Sequence, residues 1–236
     1  MQLFNDDCLK VLPTIPDKSI DLILTDPPYG TTKCKWDSII PFEPMWKELK
    51  RIIKDNSCIA LFGTEPFSSH LRLSNLDWFK YDWYWNKKII TGFLNSKRQP
   101  LRCIEIVSIF YKKKHNYIPI MTKGKRRKKG GINKSSKCYG EYKSIYTESD
   151  LYYPKNYLEF SNAKQTKKLH PTQKPVPLLE YLIKTYTNEN DTVLDFTMCS
   201  GSIGVACKNI NRNFIGIEKD NEYFNIAKDR IESTLL

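Results

Sequence analysis

The sequence predicts an α/β protein with a doubly wound, mostly parallel sheet, and three observations predict it. Strand and helix signals alternate along most of the chain. One short apolar run stops abruptly at Asp26-Pro27-Pro28-Tyr29. A second, Thr192–Phe196, enters a small-residue turn that opens a helix, and an acid closes the next strand.

The elements follow in order. Leu3-Phe4 begin a short strand that ends at Asp6-Asp7. Ile20–Thr25 is a run of the kind buried on both faces of a parallel sheet. Phe42, Trp46, Leu49 and Ile53 fall at helical spacing, with Pro44 tolerated in a first turn. Cys58–Phe62 is another apolar strand, stopped by Gly63, and Phe67, Leu71 and Leu76 suggest a shorter helix. Lys80–Trp85 and Glu105–Tyr111 are two further strands, joined by a polar, basic connection, Asn86–Cys103, read as mobile. Trp83, Tyr84 and Trp85 are assigned to packing, because adjacent aromatics on a strand usually fill cores. Later, Val176, Leu179, Ile183 and Tyr186 line one face of a helix after Pro175. Ser202–Asn211 is a helix, Asn213–Ile217 a strand, and Phe224, Ala227 and Ile231 mark a final helix.

At 236 residues the chain is long enough for one well-buried α/β domain with an insertion. No run of about 18 apolar residues suggests a membrane span, and Met1–Asp7 lacks the basic start and apolar stretch of a signal peptide. Seven cysteines without a Cys-x-x-Cys pair and three scattered histidines indicate neither a disulfide framework nor a metal site. A reducing cytoplasm is the simplest location. The charge is uneven: the chain carries 38 Lys and Arg against 26 Asp and Glu, and residues 112–168 alone hold 16 against 4, so the whole excess of +12 sits there. That segment also holds seven of the fourteen tyrosines. Basic residues interleaved with aromatics suit a surface that neutralises phosphates and stacks on bases; the alternative is a solvated lysine-rich loop. Lys112, Lys113, Lys123, Lys125, Arg126, Arg127, Lys128 and Lys129 are the candidate nucleic-acid contacts. The expected organisation is a catalytic half, 1–111, a basic recognition insertion, 112–168, and a cofactor half, 169–236 of the same domain.

The corner at Asp26 suits one chemistry. An exocyclic amine on a nucleobase is a poor nucleophile because its lone pair is delocalised into the ring. The Asp26 carboxylate and the Pro27 carbonyl can accept its two hydrogens and push the nitrogen toward a tetrahedral geometry, while Tyr29 stacks on the base. A plain Pro-Pro turn after a strand is the bland alternative. Here the chain resembles the DNA amino-methyltransferases that use S-adenosylmethionine, in which Asp-Pro-Pro-Tyr is the catalytic motif and its Asp form goes mostly with adenine N6. The resemblance implies roles for Asp26, Pro27, Pro28 and Tyr29.

The second constellation runs from Asp195 through Phe196, Thr197, Met198, Cys199, Ser200 and Gly201 to Ser202, with Glu218 closing the following strand. It suits a nucleoside cofactor, and its departure from Gly-x-Gly-x-x-Gly, with no basic residue for a phosphate, favours S-adenosylmethionine over a dinucleotide. It resembles the family's Asp-Pro-Phe-x-Gly-Ser-Gly loop, Glu218 matching the ribose-binding acid. His170-Pro171-Thr172-Gln173-Lys174-Pro175 resembles the segment that closes over the cofactor's methionine end, so His170, Thr172, Gln173 and Lys174 join the site. Asp7 and Cys8 match the stretch whose acid meets the adenine amine. The motif order looks like the beta arrangement, which implies a circularly permuted, seven-stranded Rossmann-like methyltransferase sheet. Two departures stand out: family Pro-Phe is Phe196-Thr197 here, and Cys199 stands where glycine is usual, an expected handicap to cofactor binding. The resemblance implies transfer to adenine N6 in double-stranded DNA with no metal. It leaves open cytosine N4, an RNA adenine, or a DNA-binding relative disabled at Cys199. It also leaves open the recognition sequence, a cognate restriction enzyme, and monomer versus homodimer.

Overall fold

The computed structural model describes residues 1–32, 34, 37–129, 134–136, 140–142, 147–162 and 173–234. In chain order the elements are β1 (Gln2–Phe4), α1 (Cys8–Val11), β2 (Ile20–Thr25), α2 (Phe42–Ile52), β3 (Ile53–Gly63), α3 (Phe67–Leu73), β4 (Phe79–Thr91) and β5 (Arg102–Phe110). There follow β6 (Thr122–Lys129), β7 (Lys134–Ser136), β8 (Gly140–Tyr142), β9 (Thr147–Tyr152) and β10 (Tyr157–Glu159). The chain then runs through α4 (Val176–Tyr186), β11 (Thr192–Asp195), α5 (Ser202–Asn209), β12 (Asn213–Ile217) and α6 (Asn221–Ser233). Two compact units result: Met1–Ile118 with Asn156–Leu236, and Pro119–Lys155.

The larger unit is built on an eight-stranded sheet in the order β1-β12-β11-β2-β3-β5-β4-β10. Its pairings are parallel except for the two made by β5. Strand alternation decides which helices cover each face. Leu22, Leu24, Cys58, Ala60, Phe62 and Val193 face a core with Leu178, Leu179, Leu182, Ile183, Ala206 and Ala227. Ile23, Ile59, Leu61 and Leu194 face the opposite core, with Met45, Trp46, Leu49, Phe67 and Leu71. α2 buries Met45, Trp46, Leu49 and Ile52, one stripe at helical spacing. α6 starts where Asp220 accepts from the backbone N–H groups of Glu222 and Tyr223, at 2.9 and 3.1 Å. No helix of the described residues is long and apolar enough to cross a membrane.

Several details depart from the sequence reading. An eighth strand, β10, pairs with β4 to form the sheet edge and comes from residues expected in the insertion. β3 begins at Ile53, directly after α2, because Ile53 already pairs with Ile20. Leu76 is 61% exposed, since α3 ends at Leu73 and a turn follows. β4 runs on through Thr91, so the polar Asn86–Cys103 connection begins as ordered strand. Trp83 and Trp85 are buried, whereas Tyr84, between them on the strand, is 40% exposed and packs no core.

In the smaller unit the lysine-rich run forms a strand, β6, antiparallel to β9. Tyr152 lies across it: its ring is 3.7 Å from the Arg127 guanidinium carbon, and its hydroxyl donates to the Lys125 carbonyl at 2.8 Å. Gly124 makes room, because a Cβ there would fall 2.8 Å from the ring.

A polar junction lies within the core that holds Trp83 and Tyr186. Tyr186, 2% exposed, accepts from the Trp83 indole N–H at 2.6 Å and shares a hydrogen bond with Tyr81 at 2.9 Å. Tyr186→Phe leaves the buried indole N–H unpaired and should destabilise the protein by about 1–3 kcal/mol, read by urea unfolding. An unchanged midpoint would mean that water or another group takes over the bond.

Candidate active site

β2 ends at Thr25 and the chain turns through Pro27 and Pro28, which offer no N–H to a neighbouring strand. Asp26 is thereby set at the carboxyl edge of the sheet. The Tyr29 hydroxyl donates to Asp26 Oδ1, and Lys174 Nζ donates to Oδ2 at 2.5 Å. Lys174 also stands 3.3 Å from Glu105 Oε2, and Lys87 reaches Glu105 Oε1 at 3.1 Å. Asp26, Lys174, Glu105 and Lys87 therefore form a line of alternating charge along one cavity wall. Burial pushes the Asp26 carboxyl upward, and the Lys174 ammonium opposes that push. Burial also works against the charged forms of Lys174 and Glu105, yet their partners outweigh it. The carboxylates raise Lys174, and Lys174 and Lys87 hold Glu105 below its ordinary value.

The segment after the corner is organised by a residue the sequence reading missed. Asp37 Oδ1 accepts from the backbone N–H groups of Tyr29 and Gly30, each at 2.8 Å, and Oδ2 from those of Thr31 and Thr32 at 2.9 and 2.7 Å. Burial acts to raise its carboxyl, but these donors hold it below the ordinary range. The Tyr29 ring packs against Phe67 at 5.1 Å between centroids.

The second half of the site hangs from β11. Asp195 Oδ1 accepts from the Thr25 hydroxyl at 3.0 Å and the Thr197 backbone N–H at 3.2 Å, while Phe196 N–H donates to Thr25 Oγ1 at 3.1 Å. Burial pushes the Asp195 carboxyl up to about 8. Thr197 then donates its hydroxyl to the Asp26 carbonyl at 3.1 Å. The turn that follows needs left-handed backbone at Cys199, φ 46°, and at Gly201, φ 73°. A Cβ on Gly201 would come within 3.0 Å of Ala227 and Ile231 of α6. Glu218, at the end of β12, accepts from the Cys199 N–H at 2.8 Å and the Asp220 N–H at 2.9 Å, and burial raises its carboxyl. Asp7 caps α1 by accepting from Leu9 N–H at 3.0 Å and pairs with Lys219, also at 3.0 Å. Arg230, another residue missed from sequence, donates to the Ser200 carbonyl at 3.0 Å and the Ser202 hydroxyl at 2.9 Å, tying the turn to α6.

These groups meet around one cavity of about 820 Å³. Asp26, Pro27, Pro28 and Tyr29 line it together with Asp7, Cys8, Lys174, Phe196, Thr197, Cys199 and Glu218. Asp195, Ser200, Gly201 and Ser202 stand behind the wall and shape the turn. Lys174, grouped with the cofactor residues by sequence, bonds Asp26 and Glu105, while the neighbouring Gln173 accepts from the Ser200 hydroxyl at 3.4 Å. His170 and Thr172 lie outside the described residues. The donor set fits S-adenosylmethionine. Glu218 and Asp7 offer carboxylates to hydroxyl and amine donors, Phe196 offers an aromatic wall, and the acid-rich lining suits a cation.

Of the candidate nucleic-acid contacts, Lys112 and Lys113 are exposed in the larger unit, Lys113 lying 4.0 Å from Asp55. Lys123, Lys125, Arg126, Arg127, Lys128 and Lys129 lie on β6 of the smaller unit, where Arg126 pairs with Glu148 at 2.9 Å and Lys123 with Asp150 at 3.8 Å.

Comparison with known proteins agrees with this arrangement. A family model described as DNA methylase, of the N6/N4 methyltransferases, matches residues 20–229. The chain is 29% identical over 245 residues to the Type II methyltransferase M.HpaI of Haemophilus parainfluenzae, covering 98% of this chain and 74% of that protein. It is 30% identical over 244 residues to the Type II methyltransferase M1.MboII of Moraxella bovis, covering 94% and 92%. The crystal structure of the M1.HpyAVI–SAM complex superposes with a TM-score of 0.66 at 27% identity, over 98% of each chain. The cytosine-N4-specific PvuII DNA methyltransferase shares the fold, with a TM-score of 0.69 at 18% identity over 97% and 85%. The chain therefore belongs to the N6/N4 DNA methylase family and is an S-adenosylmethionine-dependent DNA amino-methyltransferase.

Proposed function

We propose that the chain methylates adenine N6 at a specific short sequence in double-stranded DNA, acting on a base flipped out of the duplex. The observation that carries this reading is that Asp26 and the adjoining Pro27 line the same cavity as Glu218 and Asp7. The amine of a paired adenine is engaged with its partner strand, so the base has to leave the stack to reach such a corner. Asp26 and Pro27 accept the amine hydrogens, which localises the nitrogen lone pair. Tyr29 offers its ring to the base from the same wall. Lys174 holds Asp26 ionised and oriented, and Glu105 with Lys87 holds Lys174 in turn. Bound S-adenosylmethionine, held by Glu218, Asp7, Phe196 and the Cys199 turn, supplies an electrophilic methyl group on a sulfonium. The proton leaves the amine after transfer, so Asp26 acts by position and charge more than by basicity. The basic strand β6 serves as the phosphate-contacting part of target recognition. The chain's seven cysteines, without a Cys-x-x-Cys pair, suit action in a reducing cytoplasm.

Cytosine N4 is the competing target, because the PvuII enzyme has the same fold and the corner requires only a planar amine. Methylation of genomic DNA in a host lacking adenine methylation, read by single-molecule sequencing, decides between them. N6-methyladenine at one repeated short sequence is the expected outcome; N4-methylcytosine would replace this reading.

Three further measurements test the residues. Asp26→Ala should lower the transfer rate about a thousandfold or more while the cofactor still binds in calorimetry; a mutant that still methylates DNA would remove Asp26 from the mechanism. Transfer should fail on the acid side, because burial raises Asp26 and its neutral form is a much weaker acceptor that cannot offset the positive charge developing on the amine. Removing the cation in Lys174→Met should move that acid limb about one pH unit or more higher, whereas Lys174→Arg should keep it nearer its place; coincident pH–rate profiles would leave Lys174 with a packing role alone. Cys199→Gly removes both a Cβ from left-handed backbone, worth about 1 kcal/mol, and a thiol from the cavity wall. Cofactor affinity by calorimetry should rise severalfold, and an equal or lower affinity would clear Cys199 as a handicap.

A further inference from the structure

The tip of the hairpin that joins β4 to β5, beyond Thr91, takes no part in the site described above, yet it leads straight out of it. Lys87, Ile89 and Thr91, alternate residues at the end of β4, all line the cavity. Thr91 pairs with Arg102 at the start of β5 and donates its hydroxyl to the Arg102 carbonyl at 3.2 Å, which closes the hairpin neck. Beyond that neck the chain turns through Gly92 at φ 87° into a short 3₁₀ turn, Phe93–Asn95. The turn is built by its own backbone: Asn95 N–H donates to the Gly92 carbonyl, Ser96 to Phe93, and Arg98 and Gln99 to Asn95, at 2.9–3.0 Å. This compact tip holds two large apolar side chains in water, Phe93 at 76% exposure and Leu94 at 100%. Around them residues 86–104 carry five cations, Lys87, Lys88, Lys97, Arg98 and Arg102, and not one acid.

An ordered, solvated apolar pair ringed by cations is unfavourable unless something apolar and anionic covers it. DNA has that combination, with phosphates outside and a base stack within. Thr91, the last residue of β4 and part of the cavity wall, is only two residues from Phe93, so the cavity and the tip can act on one nucleotide and its own stack. Extruding a base leaves a gap whose unstacking costs a few kcal/mol, and apolar side chains inserted between base steps are a known way to fill one.

We propose that Phe93 and Leu94 form a wedge that enters the DNA base stack where the target base has left it, with Lys97, Arg98 and Arg102 on the flanking phosphates. This rests on DNA amine methylation but not on which base is methylated. It assigns the hairpin to base extrusion, apart from both the transfer chemistry and sequence recognition.

The test uses a duplex carrying the site found by sequencing, with 2-aminopurine at the target position for fluorescence and the natural base for rates. Wild type, Phe93→Ala and Leu94→Ser are compared on this duplex and on one whose target faces an abasic position, where extrusion is already easy. Leu94 is fully exposed, so its substitution leaves folding intact, and cofactor binding checks both variants. On the normal duplex the variants should lose about tenfold or more in kcat/KM and most of the 2-aminopurine emission, since that gap costs a few kcal/mol. On the abasic duplex both should approach wild type. Unchanged rates on the normal duplex, or equal losses on both duplexes, would overturn the wedge. The wild-type rate reports separately on the activity itself.

Discussion

The hydroxyl of Thr25 joins what the chain order separates. β2 and β11 are neighbouring parallel strands in the middle of the sheet, although about 170 residues lie between them. At their carboxyl ends Thr25 donates to Asp195 and accepts from Phe196, and Thr197 returns a bond to the Asp26 carbonyl. Those three bonds fix the catalytic corner against the cofactor turn. Parallel strands make this arrangement natural, because their ends fall on one edge and each can carry a different part of a site. The burial that raises Asp195 also makes its hydrogen bonds costly to lose, so this is a rigid joint more than a titrating group.

Around that joint the protein keeps several charges out of water, and it does so by pairing them in sequence. Asp26, Lys174, Glu105 and Lys87 alternate in sign, so each buried charge has an opposite neighbour. An isolated buried carboxylate would take up a proton, and a neutral Asp26 would lose its use as an acceptor. Glu218 and Asp37 are held differently, by backbone N–H groups and not by cations. On the side where a cationic cofactor fits, among the described residues, Asp7, Glu218 and Asp220 outnumber the single cation Lys219, while Lys174 and Lys87 are committed to the catalytic corner.

Much of this was legible in sequence, for definable reasons. The buried strands Ile20–Thr25 and Asn213–Ile217 have the bounds that their apolar runs set. Asp26, Tyr29 and Glu218 are visible because a proline corner and an acid at a strand end are local patterns. Asp37 and Arg230 are not, since each acts on a backbone several residues or an entire element away and nothing in its own neighbourhood marks it. The motif around Lys174 is local and so visible, whereas its bond to Asp26, 148 positions distant, is not. The strand character of Thr122–Lys129 was hidden by composition, because lysine runs favour solvent and only pairing with β9 and cover from Tyr152 order this one. Leu76 and Tyr84 went astray because periodicity alone cannot say where a helix stops or which strand face is covered.

The pairing of β1 with β12 also bears on how the protein is made. β1 is synthesised well before its sheet neighbour β12, the last strand among the described residues, and Asn5 bonds the Glu218 carbonyl across 213 positions. At ribosomal speeds of about 5–20 residues per second, the first strand waits roughly ten to forty seconds for its partner. Until β12 emerges, Asp7 has no Lys219 to meet and the Cys199 turn has no Glu218 to bond. A nascent chain can assemble β2 and β3 early, yet it holds no complete cofactor site. Methylating capacity therefore waits for β12 and the residues just after it to emerge.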